Sequence, residues 1–232
     1  MTFKDDVKAF LGYELSELQL NKFAKYFDFL IEYNQITNLT RITNEKEVYY
    51  KHFFDSITIL KFINLTNIDS LCDIGAGAGF PSIPIKILYP NIKLTIVDSL
   101  GKRIHFLHQL IKLIDIDGIE LVNDRVEIFG MKNQNKFDIV TARALGHLRL
   151  ISEMAIPIVK TSGHFVAFKA SNYEDEISES QRTIQILGGK IEAVHKLDLP
   201  YNFGFRSHIM IKKISHKNGF PRSYQQMIKK PL

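Results

Sequence analysis

Residues Leu71–Pro81 read Leu-Cys-Asp-Ile-Gly-Ala-Gly-Ala-Gly-Phe-Pro, an apolar strand that runs into three alternating glycines and then into the start of a helix. Glycines at such a turn allow positive φ angles, so Gly75 and Gly77 can bring bare backbone against a ligand at the helix N-terminus. A dinucleotide-binding loop has its third glycine where this sequence has Phe80. Asp73 would also repel a pyrophosphate and suits a cofactor with a cationic amino-acid end. The stretch therefore predicts a cofactor loop that differs from the loop of NAD-binding proteins.

Strand and helix patterns alternate after Asn67. A βαβαβ rhythm predicts a parallel sheet with helices on both faces. The short connection 196–206 between the last two strands predicts an antiparallel hairpin at the sheet edge. Seven such strands are the architecture of AdoMet-dependent methyltransferases, so the expected fold class is α/β and Rossmann-like. The predicted strands are Ser70–Ile74, Lys93–Asp98, Ile119–Asn123, Phe137–Ala142, His164–Lys169, Lys190–His195 and Ser207–Lys213, and the predicted helices between them include 82–89, 101–114 and 146–160.

The residues before this core have a helical pattern. Ser16 with Gln19 three residues later predicts the start of one helix, and Asn44 with Glu47 predicts a second that continues to about Phe62. Three parts are therefore expected: a helical N-terminal extension (1–66), a methyltransferase core (67–214) and a basic C-terminal tail (215–232).

Several polar residues follow the predicted strands, where open α/β sheets bind ligands. Asp98 ends the second strand, 23 residues after Gly75, and its carboxylate can accept hydrogen bonds from both ribose hydroxyls of an adenosine. Val126 and Glu127 follow the third strand, where the backbone near Val126 could read the edge of the adenine. Arg143 follows the fourth strand, either at the cofactor or in a surface salt bridge.

Composition and cysteine usage exclude several classes of protein. The 232 residues are 45% hydrophobic and 24% charged, which is typical of globular proteins. A single cysteine, Cys72, excludes an internal disulfide and favours a reducing, cytoplasmic location. The sequence lacks an apolar run long enough for a membrane span, and the charged start Met1–Lys8 does not resemble a secretory signal.

Positive charge is concentrated at the C-terminal end. Residues 201–232 contain seven Lys and Arg and no acid, whereas residues 1–70 carry a net charge of −2 and residues 71–200 are neutral. Such a tail favours binding to RNA or DNA, especially with aromatic residues among the cations. The alternative is a tail that serves only solubility.

The residues also limit the chemistry of the methyl acceptor. Methylation of pyrimidine C5 needs a cysteine nucleophile, but Cys72 lies inside a predicted buried strand. The Asn/Asp-Pro-Pro-aromatic loop used on exocyclic base amines is replaced by Ala142–Leu145. A ring nitrogen such as guanine N7 has a free lone pair and needs orientation rather than a base.

The motifs together resemble the bacterial 16S ribosomal RNA guanine-N7 methyltransferase G family. The resemblance covers residues 34–170, and its most specific piece is Asp98–Arg103, Asp-Ser-Leu-Gly-Lys-Arg. It implies AdoMet-dependent transfer to N7 of one guanine in a hairpin loop near the decoding centre of the small ribosomal subunit. Ala170 replaces a glycine common in the family, and the tail lacks an internal Gly and Pro found in some members. The matching motifs are Asn38–Thr40, His52–Ser56, Asp73–Pro81 with Ile83–Pro84, Asp98–Arg103 with Phe106–Leu107, Arg125–Glu127, Arg143–Ala144 and Phe168–Lys169.

The resemblance and the positions of the residues give two expected sets. The AdoMet-binding set is Gly75, Gly77, Phe80, Asp98, Val126, Glu127 and Arg143, with no catalytic acid or base. The set expected to bind the partner, 16S rRNA or the small subunit, is Asn38, Arg41, His52, Asp55, Lys102, Arg103, Lys169 and Arg206. For most of the second set the alternative is a turn cap, a helix-surface hydrogen bond or a solvated surface charge. The histidines lack metal-ligand spacing, so no metal is expected, and the protein is expected to be a monomer.

Three other functions remain open from the residues alone. An NAD-dependent oxidoreductase shares the fold but conflicts with Phe80. A methyltransferase acting on a small molecule shares the cofactor loop but leaves the basic tail unexplained. A non-catalytic RNA-binding protein would bind RNA without binding AdoMet.

Overall fold

Seven strands form one sheet in the computed structural model, which describes residues 2–232. The order is β3-β2-β1-β4-β5-β7-β6. Strands β1 to β5 pair in parallel, whereas β7 is antiparallel to both β5 and β6. The expected α/β fold with an antiparallel edge hairpin is therefore confirmed. The strands are β1 Ser70–Ile74, β2 Lys93–Val97, β3 Ile119–Val122, β4 Phe137–Arg143, β5 Val159–Lys169, β6 Gly189–Asp198 and β7 Phe205–Lys213.

Helices cover both faces of the sheet. Two neighbouring predicted boundaries are wrong: the helix expected over 146–160 ends at Ala155, and β5, expected to begin at His164, already begins at Val159. Pro157, in the 3-10 turn Ile156–Ile158, has no N–H to continue the helix. The α-helices are α1 Phe3–Leu11, α2 Glu17–Asn34, α3 Glu45–Val48, α4 Asp55–Ile57, α5 Ser82–Leu88, α6 Gly101–Leu113, α7 Val126–Lys132, α8 Leu148–Ala155, α9 Tyr173–Ile186 and α10 Tyr224–Lys229.

Residues 2–66 share a hydrophobic core with the sheet. Neighbouring strand residues face opposite sides, so Leu71 packs into a core with Phe23 and Phe53, whereas Cys72 packs into a second core. Burial raises the pKa of the Cys72 thiol well above its usual range. The N-terminal helices thus cover one face of the sheet. Within residues 2–232 no helix combines the length and the apolar character that a membrane crossing requires.

The helical segment after the loop 35–44 is irregular. The Asn44 side chain accepts from the Glu47 N–H at 3.1 Å, as the sequence predicted. Between α3 and α4 the backbone forms a π-helical turn, Tyr49–Phe54, and a 3-10 turn, Thr58–Lys61, follows α4. Single π turns inside helices are frequent at functional sites. This π turn places His52 toward the carboxyl ends of β4 and β5. Asp55, the first residue after the turn, lies toward the same ends.

Candidate active site

The glycine loop leaves open space over its backbone. Gly75 and Gly77 have φ angles of 68° and 61°. A Cβ atom on Gly77 would meet no atom within 4 Å, whereas a Cβ on Gly75 would lie 2.3 Å from Leu145 Cδ1. Gly75 is therefore required by its φ angle, whereas the end of the Leu145 side chain could move aside for a Cβ atom. Gly77 keeps a bare, accessible backbone position.

Asp73 lies below this loop and is fully buried. Its carboxylate accepts from Thr141 Oγ1 at 2.9 Å and from the Ser82 N–H at 3.2 Å. Burial raises its pKa to about 6, although these hydrogen bonds oppose the rise. Because both oxygens are used internally, Asp73 holds the loop against α5 and does not line the cavities described next.

Asp98 lies at the end of β2, beside the glycine loop, and is 2% exposed. Its Oδ2 accepts from the Gly77 N–H at 3.1 Å and from Arg103 Nη1 at 3.2 Å, and its Oδ1 accepts from the Leu100 N–H at 2.9 Å. The carboxylate is thus fixed in place. Arg103, expected on the RNA side, lies here beside the predicted cofactor residues.

Two cavities adjoin this loop and share Gly75, Arg103 and Leu145. The first has a volume of about 340 Å³ and the second about 220 Å³, which together suit a small-molecule site. The first combines carboxylates with apolar walls, a set of groups that fits an adenosyl moiety. Its lining is Gly75, Asp98, Ser99, Arg103, Arg125, Val126, Glu127, Leu145, Leu150, Met154 and Tyr224. The second is lined by Leu39, Thr40, His52, Gly75–Ala78, Phe80, Arg103 and Arg143–Leu145.

Phe80 forms a wall of the second cavity. Its ring stacks on His52 with centroids 4.6 Å apart and on Tyr26 with centroids 5.4 Å apart. The guanidinium of Arg143 lies 4.9 Å from the centre of the same ring. Tyr26, which the sequence did not single out, also donates a hydrogen bond to the carbonyl of Ala78. Phe80 therefore ties the glycine loop to the π turn and to β4.

His52 is neutral in this environment. Burial and, to a smaller extent, the nearby charge of Arg143 together lower its pKa to about 3. Because an arginine can only donate, the 3.3 Å contact from Arg143 Nη2 makes Nδ1 the acceptor. The ring proton then lies on Nε2, which donates to Thr40 Oγ1 at 2.9 Å.

Asp55 joins two arginines from different strands. Its Oδ2 accepts from Arg143 Nη1 at 3.0 Å, and its Oδ1 lies 3.1 Å from Arg206 Nε in an ion pair that lacks good hydrogen-bond geometry. Asp55 is 3% exposed. Its buried position makes it a support for the two arginines rather than a direct contact for RNA.

A third cavity, of about 360 Å³, lies beside this network and is strongly basic. Lys169 Nζ is 2.5 Å from Glu176 and donates to the Gly146 carbonyl at 2.6 Å. His52, Arg143 and Ala144 are shared with the second cavity. The lining is Ile42, Lys51, His52, Asp55, Arg143, Ala144, Phe168, Lys169, Ala170 and Arg206.

The remaining predicted RNA-binding residues lie outside the cavities. Asn38, Arg41 and Lys102 are exposed and hydrogen-bond to none of residues 2–232 through their side chains. Asn38 and Arg41 belong to the loop that supplies Thr40. Among residues 2–232, no three His, Cys, Asp or Glu side chains lie together as a metal site would require.

Sequence reasoning missed Arg125 and Tyr224 as cavity residues. Arg125 lies within the quoted Arg125–Glu127 motif, and its Nε is 2.5 Å from Glu127, which is 5% exposed. Tyr224 lies in the tail, almost 100 residues from Arg125, and no local pattern connects the two.

Known proteins are similar to this chain in sequence and in fold. The family model described as rRNA small subunit methyltransferase G matches residues 19–206. A protein named ribosomal RNA small subunit methyltransferase G from Acholeplasma laidlawii is 45% identical over 96% of both chains. One of the same name from Staphylococcus saprophyticus is 47% identical over 95% of this chain and 93% of its own. The crystal structure of M. jannaschii TYW2 in complex with AdoMet superimposes with a TM-score of 0.56 at 15% identity, covering 75% of this chain and 80% of that one, which shows a shared fold.

Proposed function

The chain belongs to the rRNA small subunit methyltransferase G family, and from that premise we propose that it transfers a methyl group from S-adenosylmethionine to N7 of a guanine in 16S rRNA. It is a methyltransferase of small-subunit ribosomal RNA. The guanine N7 position and the hairpin loop near the decoding centre are the finer parts of the proposal, and they come from the resemblance of the motifs.

The observation that carries the proposal is the row of three connected cavities at the carboxyl ends of the strands. The first two share Gly75 and Arg103, and the second and third share His52 and Arg143. A ligand in the first two therefore has one end directed at the basic third cavity. This order suits a cofactor on one side of Arg143 and an RNA nucleotide on the other.

Different residues on the cofactor side would bind different parts of S-adenosylmethionine. The Asp98 carboxylate would take the ribose hydroxyls, and backbone groups near Val126 would meet the adenine. S-adenosylmethionine, when bound, supplies a methyl group on a positively charged sulfur. The residues proposed to hold it are Gly75, Gly77, Phe80, Asp98, Val126, Glu127 and Arg143.

Among residues 2–232, none provides a free acid or base on the acceptor side, which suits a ring nitrogen. His52 stays neutral because its pKa is about 3, and both oxygens of Asp55 face arginines. Attack by a guanine N7 lone pair requires no removal of a proton, so orientation dominates. Arg143, Arg206 and Lys169 surround the third cavity with positive charge, which suits the phosphates that position an RNA loop. Asn38, Arg41 and Lys102 would extend this surface.

The test is transfer of labelled methyl from S-adenosylmethionine to small-subunit RNA and particles taken from cells that lack this gene. Label at a single guanine N7 is the expected result. A purified Asp98→Ala variant serves as the matched control and should transfer little label. Cofactor binding without label on RNA would favour a small-molecule acceptor instead, and label at another atom would refute the N7 assignment.

We further propose that the protein acts as a monomer in the cytoplasm, where its RNA substrate is assembled. We also propose that residues 1–66, 67–214 and 215–232 act as an RNA-facing extension, a methyltransferase core and a tail. Light scattering of the pure protein tests the first point: a mass near 26.7 kDa is expected, and a mass near twice that value would refute it.

A further inference from the structure

The C-terminal segment 214–232 is anchored to the core at several points, three of which lie just before Tyr224. Gln134 Nε2 donates to the carbonyl of Phe220 at 2.9 Å. The ring of Pro221 packs so closely on Gly130 that a Cβ atom there would lie 2.9 Å from Pro221 Cγ. Arg222 makes a two-pronged ion pair with Glu153 on α8, at 2.6 and 2.7 Å.

The ion pair with Glu153 is the strongest of these anchors. Glu153 is only 3% exposed, so its charge depends on Arg222 for compensation. Bidentate pairs of this kind fix geometry as well as charge. The chain is therefore held in a defined position two residues before Tyr224.

The helix that follows is equally well placed. Ser223 and Gln226 form a reciprocal capping box at the start of α10, and Met227 is buried at 3% exposure. Anchors on both sides thus fix Tyr224, the first residue of α10. Tyr224 lines the first cavity together with Asp98 and Val126.

Tyr224 also has a cationic neighbour. The guanidinium of Arg125 lies 4.8 Å from the centre of its ring, within the range of a cation–π contact. Arg125 is itself held by Glu127. Tyr224 is still 38% exposed, so ring surface remains for a flat ligand.

We propose that Tyr224 binds the adenine of S-adenosylmethionine by stacking, so that the C-terminal segment forms part of the cofactor site. The inference rests on the proposed function, because it takes the first cavity as the adenosyl site. Aromatic side chains bind bases through their faces, which every purine offers. The tail would then act in cofactor binding through Tyr224, separately from any contact of its lysines with RNA.

Calorimetry with S-adenosylmethionine tests the stacking. We expect Tyr224→Ala to weaken binding about tenfold and Tyr224→Phe to stay within about twofold of the unchanged protein. Gln225→Ala, an exposed neighbour on the same helix, is the matched control and should bind normally. Thermal unfolding without cofactor should be similar in all four proteins, because the ring is partly exposed.

The calorimetry distinguishes a failure of the proposed function from a failure of the role proposed for Tyr224. If the unchanged protein does not bind S-adenosylmethionine, the proposed function fails. If it binds and Tyr224→Ala binds equally well, only the role of Tyr224 is refuted.

Limited trypsin digestion supplies a readout independent of calorimetry. By reciprocity, a cofactor that is held by the tail must hold the tail in return. We expect S-adenosylmethionine to slow cleavage after Lys217 and Arg222 more than cleavage after Lys8, an exposed residue of α1 that lines none of the three cavities. This selective protection should disappear in Tyr224→Ala. Equal protection at all three sites would overturn the proposal.

Discussion

Replacement of Asp55 by alanine tests the support of the basic third cavity. Asp55 is the one carboxylate in that wall among residues 2–232, and it faces Arg143 at 3.0 Å and Arg206 at 3.1 Å. Without it, two guanidinium groups would remain close together with no counter-charge. The variant should therefore lose stability and also the fixed position of Arg143.

The magnitude follows from the burial of the three groups. Removal of one partner from a buried ion pair costs about 3–5 kcal/mol. The side chains of Arg143 and Arg206 keep 13% and 21% of their exposure, so water screens part of the uncompensated charge. We expect a loss of about 2–3 kcal/mol in the free energy of unfolding, after this discount for solvent screening. For a chain of this size the melting temperature should fall by about 4–12 °C.

Urea unfolding with a matched control measures this loss. Glu174→Ala removes the acid of an exposed pair with Lys196, 3.5 Å apart, and should leave the stability unchanged. Asp55→Asn keeps the size of the side chain and should fall between Asp55→Ala and the unchanged protein. Asp55→Ala should also weaken S-adenosylmethionine binding, because Arg143 loses its fixed position, and methyl transfer should fall. Equal stability of Asp55→Ala and Glu174→Ala would refute the reasoning.

Three further changes test other parts of the site. Asp98→Ala should weaken S-adenosylmethionine binding by about 1–3 kcal/mol in calorimetry, and an unchanged affinity would remove Asp98 from the cofactor site. The pKa of His52 is about 3 when folded and about 6.5 when unfolded, so the folded state takes up fewer protons and stability falls as the pH drops below 6.5. Between pH 7 and 5 the unchanged protein should lose about 2 kcal/mol of its free energy of unfolding through His52. Urea unfolding of His52→Gln should not show this loss, and the same pH dependence in both proteins would contradict the lowered pKa of His52. The Lys229→Gln/Lys230→Gln variant should reduce the salt dependence of RNA binding by about 1.4 to 1.8 in log–log slope, and an identical slope would show that these lysines do not contact RNA.

The sheet could be predicted from sequence because its strands are short apolar runs between turn residues. The sequence pattern did not predict elements in which polar residues occupy buried or strand positions. Helix α9 was not predicted, since its buried residues include Ser180 and Thr183 and give no apolar period. The start of β5 was missed for a similar reason, because the stretch from Lys160 to Gly163 is polar yet belongs to the strand.

The candidate site likewise has features that the sequence predicts and features that it does not. The glycine loop and Asp98 are predictable because the order of strand, loop and acid along the chain determines which groups meet at one sheet edge. Contacts between distant elements are not encoded in any local pattern. The pairing of Arg206 with Asp55, and the arrival of Tyr224 in the first cavity, depend on how the last strand and the tail pack across the molecule.

The tail shows how charge counting differs from charge in three dimensions. Seven cations and no acid over residues 201–232 predict a strong polyanion-binding segment. Within the structure of residues 2–232, however, Arg206, Lys212 and Arg222 each face an acid from another part of the chain. Lys213 is buried, donates to the carbonyls of Pro157 and Val159, and has its pKa lowered to about 8 by burial. Of the seven cations in residues 201–232, three are exposed without an acidic partner among residues 2–232: Lys217, Lys229 and Lys230. RNA binding by residues 201–232 should therefore show the salt dependence of about three charges rather than seven.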